Sequence, residues 1–208
     1  MDPAEKVIAA SARLFAAVQV SDAVRENLSR WIERMKQRPE IPPNTKWVEE
    51  DNIHLTLKFF GEVKEQDLDK LRKCLGEAVK NTQGFNMEVR GIGAFPNFQH
   101  PIVIWAGAHD SSEITRLALV IERMATEQGF QANGKPFSPH LTLARLNRPA
   151  RHGLANVLEK SAQSFFGAAP VDALYLIQSI LTLEGPRYKE VERWPFKLDD
   201  SSVVNRLM

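Results

Sequence analysis

The tetrapeptide HLTL occurs twice, at residues 54–57 and 140–143, in a chain with only five histidines. A repeat that begins on so scarce a residue calls for a physical reason. Each copy alternates polar and apolar residues, the pattern of a half-buried strand. Successive side chains of a strand point to opposite faces. His54, Thr56 and Lys58 are therefore expected on one face, with Leu55, Leu57 and Phe59 on the other. By the same rule His140 and Thr142 share a face, and strict alternation places Arg145 behind it with Leu141 and Leu143. Whatever fold houses both copies must supply two similar strands. Each packs its leucines inward and presents an imidazole beside a hydroxyl.

The neighbourhoods of the two copies are also alike. Residues 12–18 read as a buried strand, and Ser21 as an N-cap for a helix over 22–37 with Val24, Leu28, Trp31, Ile32 and Met35 on one stripe. The prolines of 38–44 stop that helix. A short extended piece at 46–48 follows, then a strand over 53–60 ended by Gly61, then a helix over 64–80. The pattern restarts with a hairpin, 85–96 and 101–107. Ser111 or Ser112 caps a helix to about Gly129, with Ile114, Leu117, Leu119, Val120, Ile121 and Met124 as its apolar set. Strand 140–145, a short helix over 152–162, and strands 171–183 and 188–196 complete the order, and 199–208 is expected to fray. The order implies an α+β architecture in which residues 1–208 form one two-lobed domain with mixed or antiparallel sheets.

Composition narrows the function. With 27 basic and 26 acidic residues the net charge is +1, so the chain lacks the positive excess of a protein that tracks duplex backbone. A nucleic-acid ligand would be a short piece or an end. A single cysteine, Cys74, excludes an intrachain disulfide and any Cys₄ or Cys₂His₂ zinc site, and suits a reducing cytoplasm. No apolar run reaches the ~20 residues of a bilayer span, and the N-terminus lacks the pattern of a secretory signal.

Two imidazoles suit a reaction in which a proton leaves one oxygen and arrives at another. Histidine titrates near ~6.5, so both protonation states are accessible at neutral pH. A base and an acid on opposite sides of a phosphorus atom suit in-line displacement at a phosphodiester. Threonine hydroxyls donate to phosphate oxygens without adding repelling charge. A metal site fits less well, because each strand supplies one good ligand and no H-x-x-x-H or carboxylate cluster accompanies it. Duplicated packing alone would explain the leucines but not the paired His and Thr.

These residues carry a resemblance. HLTLKFFG and FSPHLTLAR look like the paired H-x-T-x signatures of the two-histidine (2H) phosphoesterases. RLFAAV, KWVEEDNIHLTLKFFGEV, GIGAFPN with PIVIWAG, KPFSPHLTLARL and SILTLEGPRYKEV resemble, in order, the branch of RNA 2′,3′-cyclic phosphodiesterases, also called 2′-5′ RNA ligases. The resemblance implies a bilobal fold with approximate two-fold symmetry, two sheets facing across a central cleft, helices outside, and one H-x-T motif per lobe, 86 residues apart. It implies hydrolysis of RNA terminal 2′,3′-cyclic phosphate to a 2′-phosphate, with reversible 2′-5′ ligation as a related outcome. No metal or organic cofactor is implied. The partners are RNA ends or short oligonucleotides and nucleotides, and the protein is expected to be a cytoplasmic monomer.

Carried over residue by residue, His54 is the proton donor and His140 the proton acceptor, while Thr56, Thr142 and Arg145 bind phosphate. Phe15, Trp47 and Lys58 are candidate substrate contacts, and Arg13, Arg187 and Tyr188 weaker ones. His100, His109 and His152 read as surface residues. Two rivals stay open: a phosphodiesterase for a 2′,5′-linked oligonucleotide or small cyclic nucleotide, and a nucleotide-binding module without turnover.

Overall fold

The computed structural model of the protein describes residues 11–109, 112–182 and 185–197. Strand β1 (Ser11–Gln19) leads into helix α1 (Asp22–Lys36). After the proline loop come the short β2 (Lys46–Trp47), a 3-10 turn at Glu50–Asn52 and β3 (His54–Lys64). Next are α2 (Glu65–Val79), the hairpin β4 (Phe85–Phe95) and β5 (Val103–His109), and α3 (Ser112–Glu127). The chain continues through β6 (His140–Arg145), α4 (Leu154–Glu159), β7 (Phe165–Val171), β8 (Ala173–Thr182) and β9 (Gly185–Pro195). The expected tail at 199–208 and Ser111 lie outside the described residues.

The α+β class is as the sequence implies, with one refinement of the sheets. The strands form a single sheet in the order β7-β4-β5-β6-β3-β1-β8-β9, and β2 adds to β6. Every pairing between these strands is antiparallel. The two expected sheets are the halves of this one, joined where β3 meets β6 through the single registered pair Leu55↔Leu141. Beyond Leu141 the same edge of β6 is taken over by β2, at Trp47↔Ala144 and Lys46↔Arg145. The two H-x-T strands therefore lie side by side at the centre and splay apart along their length. β1 flanks β3 as β5 flanks β6, which gives the approximate two-fold relation.

Each helix covers the sheet with the stripe its sequence supplies. In α1 the buried residues are Val24, Leu28, Trp31, Ile32 and Met35, the set predicted from spacing. This helix lies over β7, where the Asn27 amide donates to the Phe166 carbonyl (2.8 Å) and the Trp31 indole donates to Ser161 Oγ (3.0 Å). α3 lies over β3 and against α2. Its buried stripe is Ile114, Leu117, Ala118, Ile121 and Ala125; Leu119, which spacing places in the apolar set, faces outward. Leu55, Leu141 and Leu143 are fully buried in the core beneath the helices.

Two features of the strands differ from the reading of the sequence. β3 does not end at Gly61 but runs to Lys64, because Gly61 takes a positive φ of 68° at an irregularity in the β1 pairing and lets the strand continue. β7 stands where the sequence pattern shows no strand. It holds Pro170, which cannot donate to a ladder, and it is tolerated because β7 is an edge strand. Ser21 stands at the N-cap of α1 with extended backbone but makes no side-chain cap bond.

Candidate active site

The site is shaped by two equivalent irregularities. In β3, Thr56 pairs with Ala17 and Lys58 with Ala16, so Leu57 has no partner in β1. In β6, Thr142 pairs with Trp105 and Ala144 with Ile104, so Leu143 has no partner in β5. Both leucines are the fourth letter of HLTL. An extra residue in one strand inverts the alternation beyond it. His54 and Thr56, and His140 and Thr142, face the cleft as expected. Past the bulge the faces exchange.

This overturns three placements. Lys58 does not share the face of His54. Its side chain is 0% exposed and turned to the helix side, where Nζ donates to Glu122 Oε2 (2.7 Å) and to the Gln131 carbonyl (2.9 Å). Arg145 is not hidden behind the site with Leu141; the bulge at Leu143 carries it round to the cleft. Five residues after His54, in the place that Arg145 takes after His140, stands Phe59, 61% exposed and lining the cleft. Strict alternation puts Phe59 on the face of Leu55 and Leu57, so sequence reasoning misses it as a cleft residue; the bulge at Leu57 turns it over. The signal is the common offset: if Arg145 reaches the site, so does the fifth residue after His54.

The imidazoles are held alike. His54 Nδ1–H donates to the Asn52 carbonyl and His140 Nδ1–H to the Ser138 carbonyl, both at 2.7 Å. A carbonyl only accepts, so Nδ1 carries the proton in each neutral ring and Nε2 is the free nitrogen. Nε2 of His54 lies 2.9 Å from Thr56 Oγ1, which donates to it in the neutral state. Each ring also packs on aromatics. Phe15 stacks on His54 (centroids 4.9 Å, 26°) and Tyr188 meets it edge-on at 5.2 Å. Phe95 meets His140 edge-on at 5.0 Å, with Trp105 at 6.2 Å.

This packing strips water from the rings. Burial pushes the His54 pKa down to about 4; the Asn52 carbonyl opposes the shift and the charge of His140 adds to it. His140 is also lowered, chiefly by burial and then by Arg145, against the Ser138 carbonyl. Both rings are thus neutral at pH 7, with Nε2 available as a base.

The cleft has a volume of about 1650 Å³, more than one small ligand fills. Lys36, Lys46, Lys135, Arg145 and Arg187 line it against one acid, Glu49; Lys58 also borders it, but with its side chain buried and its charge held by Glu122. Lys46 and Arg145 are directly opposite in the β2–β6 pair, so their side chains share a face. Like charges so placed repel, and an anion between them relieves the repulsion. Trp47 and Tyr188 also line the cleft. Phe15 does not offer a stacking face: at 2% exposure it is the floor under His54, grouped with Ala17 and Ile177. Arg13 turns outward towards Glu62 (3.8 Å), and His100, His109 and His152 are exposed away from the cleft lining. Among the described residues no three His, Cys, Asp or Glu side chains converge as a metal site would require.

A family model described as the 2′-5′ RNA ligase superfamily matches residues 24–180, which include both H-x-T strands. The chain belongs to this superfamily. Within it, an RNA 2′,3′-cyclic phosphodiesterase of Archaeoglobus fulgidus is 36% identical over 179 residues, spanning 86% of this chain and 97% of its own. One of Aquifex aeolicus is 33% identical over 171 residues, 81% and 91% of the two chains. The crystal structure of TT0787 of Thermus thermophilus matches with a TM-score of 0.76 at 30% identity, covering 90% of this chain and 99% of that one. The superfamily relation agrees with the α+β fold and with the resemblance carried by the two motifs. No helix among the described residues is long and apolar enough to cross a membrane.

Proposed function

We propose that this protein is a metal-independent RNA 2′,3′-cyclic phosphodiesterase that releases a 2′-phosphate. The observation that carries the reading is the matched pair of imidazoles. Each is neutral, each is locked through Nδ1 by a carbonyl two residues earlier, and each shares one cationic cleft with a threonine from its own strand. The curated relatives named for this activity support it.

Water attacks the phosphorus while His140 Nε2 takes its proton. The bond from phosphorus to O3′ breaks, and His54 Nε2 gives a proton to O3′. The products are a 2′-phosphomonoester and a free 3′-hydroxyl. His54 acquires that proton when the substrate arrives, because the negative phosphate beside it favours the charged ring. Protonation also removes the acceptor of the Thr56 hydroxyl, which turns its hydrogen to a phosphate oxygen. Thr142 donates from the other strand, and Arg145 neutralises the charge that develops. Lys46 extends that positive edge towards the RNA chain, while Phe59 and Trp47 offer faces to bases. If a 5′-hydroxyl replaces water, the same steps join two RNAs by a 2′-5′ bond.

A substrate panel tests the reading. An RNA ending in 2′,3′-cyclic phosphate, a 2′,5′-linked oligonucleotide and a 3′,5′-cyclic nucleotide are compared with wild type, His54→Ala and His140→Ala. The first substrate is turned over best, and either variant loses about 10²–10⁴-fold with the fold retained. Preferred cleavage of another diester, or a variant near wild-type turnover, contradicts the assignment.

A further inference from the structure

Among the described residues Lys58 is the one charged side chain in the buried class. An ammonium taken from water is costly unless it is paired and hydrogen-bonded. The fold itself does not require it. In the other half the residue four after the histidine is Ala144, buried with no charge. Lys58 therefore has a task particular to its own half.

Its contacts locate the task. Nζ grips Glu122 and the Gln131 carbonyl, and Glu122 Oε1 in turn accepts the Asn133 amide at 2.7 Å. Two points of one segment are thereby tied to β3. Residues 131–139 form no helix or strand, and 131–138 make no backbone–backbone hydrogen bond among the described residues. The segment lines the cleft from Asn133 to Ser138 and ends in the carbonyl that orients His140. The counterpart for His54 is different. Asn52 lies in a turn closed by its own backbone bonds, Asn52 N–H to Glu49 and Ile53 N–H to Glu50. The segment before His140 has the Lys58 tie in place of such bonds. Moreover β3 and β6 share only Leu55↔Leu141 in register, so the tie is a second link between the two motifs.

We propose that Lys58 is a positioning residue for His140. Through Glu122 and Gln131 it holds the segment 131–139 against the first-motif strand, and so sets the Ser138 carbonyl that aims the imidazole. The catalytic half of this inference rests on the proposed phosphodiesterase reading; the anchoring half does not.

The test uses Lys58→Met, Glu122→Gln and the double variant, each assayed on an RNA 2′,3′-cyclic phosphate and by amide hydrogen exchange. Exchange is expected to rise in 131–139 and to stay at the wild-type level in α1, β1 and β8. The kcat falls at least tenfold with KM changed less than threefold, and the double variant is no worse than Lys58→Met, as a single network requires. Glu122 is partly exposed, so Glu122→Gln decides by the same readouts if Lys58→Met does not fold. Unchanged exchange in 131–139 overturns the anchor. Raised exchange with kcat within twofold of wild type overturns the link to His140. If the wild-type protein opens no cyclic phosphate, the functional reading fails, and the exchange result still decides the anchor.

Discussion

Leu57 and Leu143 are the same letter of the same tetrapeptide, and each is skipped in the pairing of its strand with the flanking one. The two bulges decide which side chains reach the cleft beyond the H-x-T pair. One brings Phe59 to the cleft and the other brings Arg145. The two-fold relation thus ends in an asymmetry: an aromatic face on the side of His54 and a cation on the side of His140. An RNA end is asymmetric in the same way, with a base on one side and phosphates on the other.

Phe59→Ala should weaken binding more than it slows chemistry. Loss of one stacked base is worth about 1–3 kcal/mol. The KM for a cyclic-phosphate RNA should therefore rise at least fivefold while kcat stays within threefold. Steady-state kinetics on a dinucleotide and on a longer RNA would check this; an unchanged KM on both would remove Phe59 from the substrate.

The paired cations predict a salt signature. Binding of a single strand that neutralises a phosphate releases counterion and gives a slope of about −0.7 per contact in log affinity against log salt. Lys46→Ala should flatten the slope of log kcat/KM by about 0.7 on an oligonucleotide. A mononucleotide cyclic phosphate, which lacks the next phosphodiester, should show little change. Equal effects on the two substrates would place Lys46 at the reacting phosphate instead.

The histidines predict an acid-shifted profile. The reactive form has one ring charged and the other neutral, and relative to the free enzyme that form is most accessible between the two pKa values. Both values are lowered from the ordinary histidine value, that of His54 to about 4. The kcat/KM for cyclic-phosphate RNA should thus peak on the acid side of pH 6.5 and fall as pH rises above it. A maximum above pH 7.5 would contradict the burial argument.

Stability should carry the same mark. The unfolded chain binds a proton at His54 below about 6.5, while the folded chain does so only near 4. In that window the unfolded state holds more protons, so stability is full above pH 6.5 and is lost as pH falls towards 4. The contribution is at most about 3 kcal/mol. Urea unfolding of the wild type and His54→Gln across pH 4–7 measures it. The variant should have the flatter curve, and parallel curves would count against the shift.

How much the sequence reveals follows from what its patterns encode. The α1 stripe and the faces of His54, Thr56, His140 and Thr142 follow from periodicity, and the structure has them so. Periodicity misplaces Lys58, Phe59 and Arg145 because a bulge leaves no mark in a run of alternating residues: Leu57 and Leu143 look like any inward leucine. β7 is hidden because Pro170 argues against a strand, and only its edge position permits it. Phe15 reads as a candidate substrate contact from sequence, yet the ring it stacks on is His54.

The central claim is that two histidines open a cyclic phosphate by acid–base chemistry with O3′ as leaving group. The direct measurement is to incubate the protein, with EDTA present, with a short RNA ending in 2′,3′-cyclic phosphate, and to identify the terminal phosphate of the product. The account predicts complete conversion to a 2′-phosphate, undiminished by the chelator. A 3′-phosphate product, or activity that EDTA abolishes and a divalent metal restores, would contradict it.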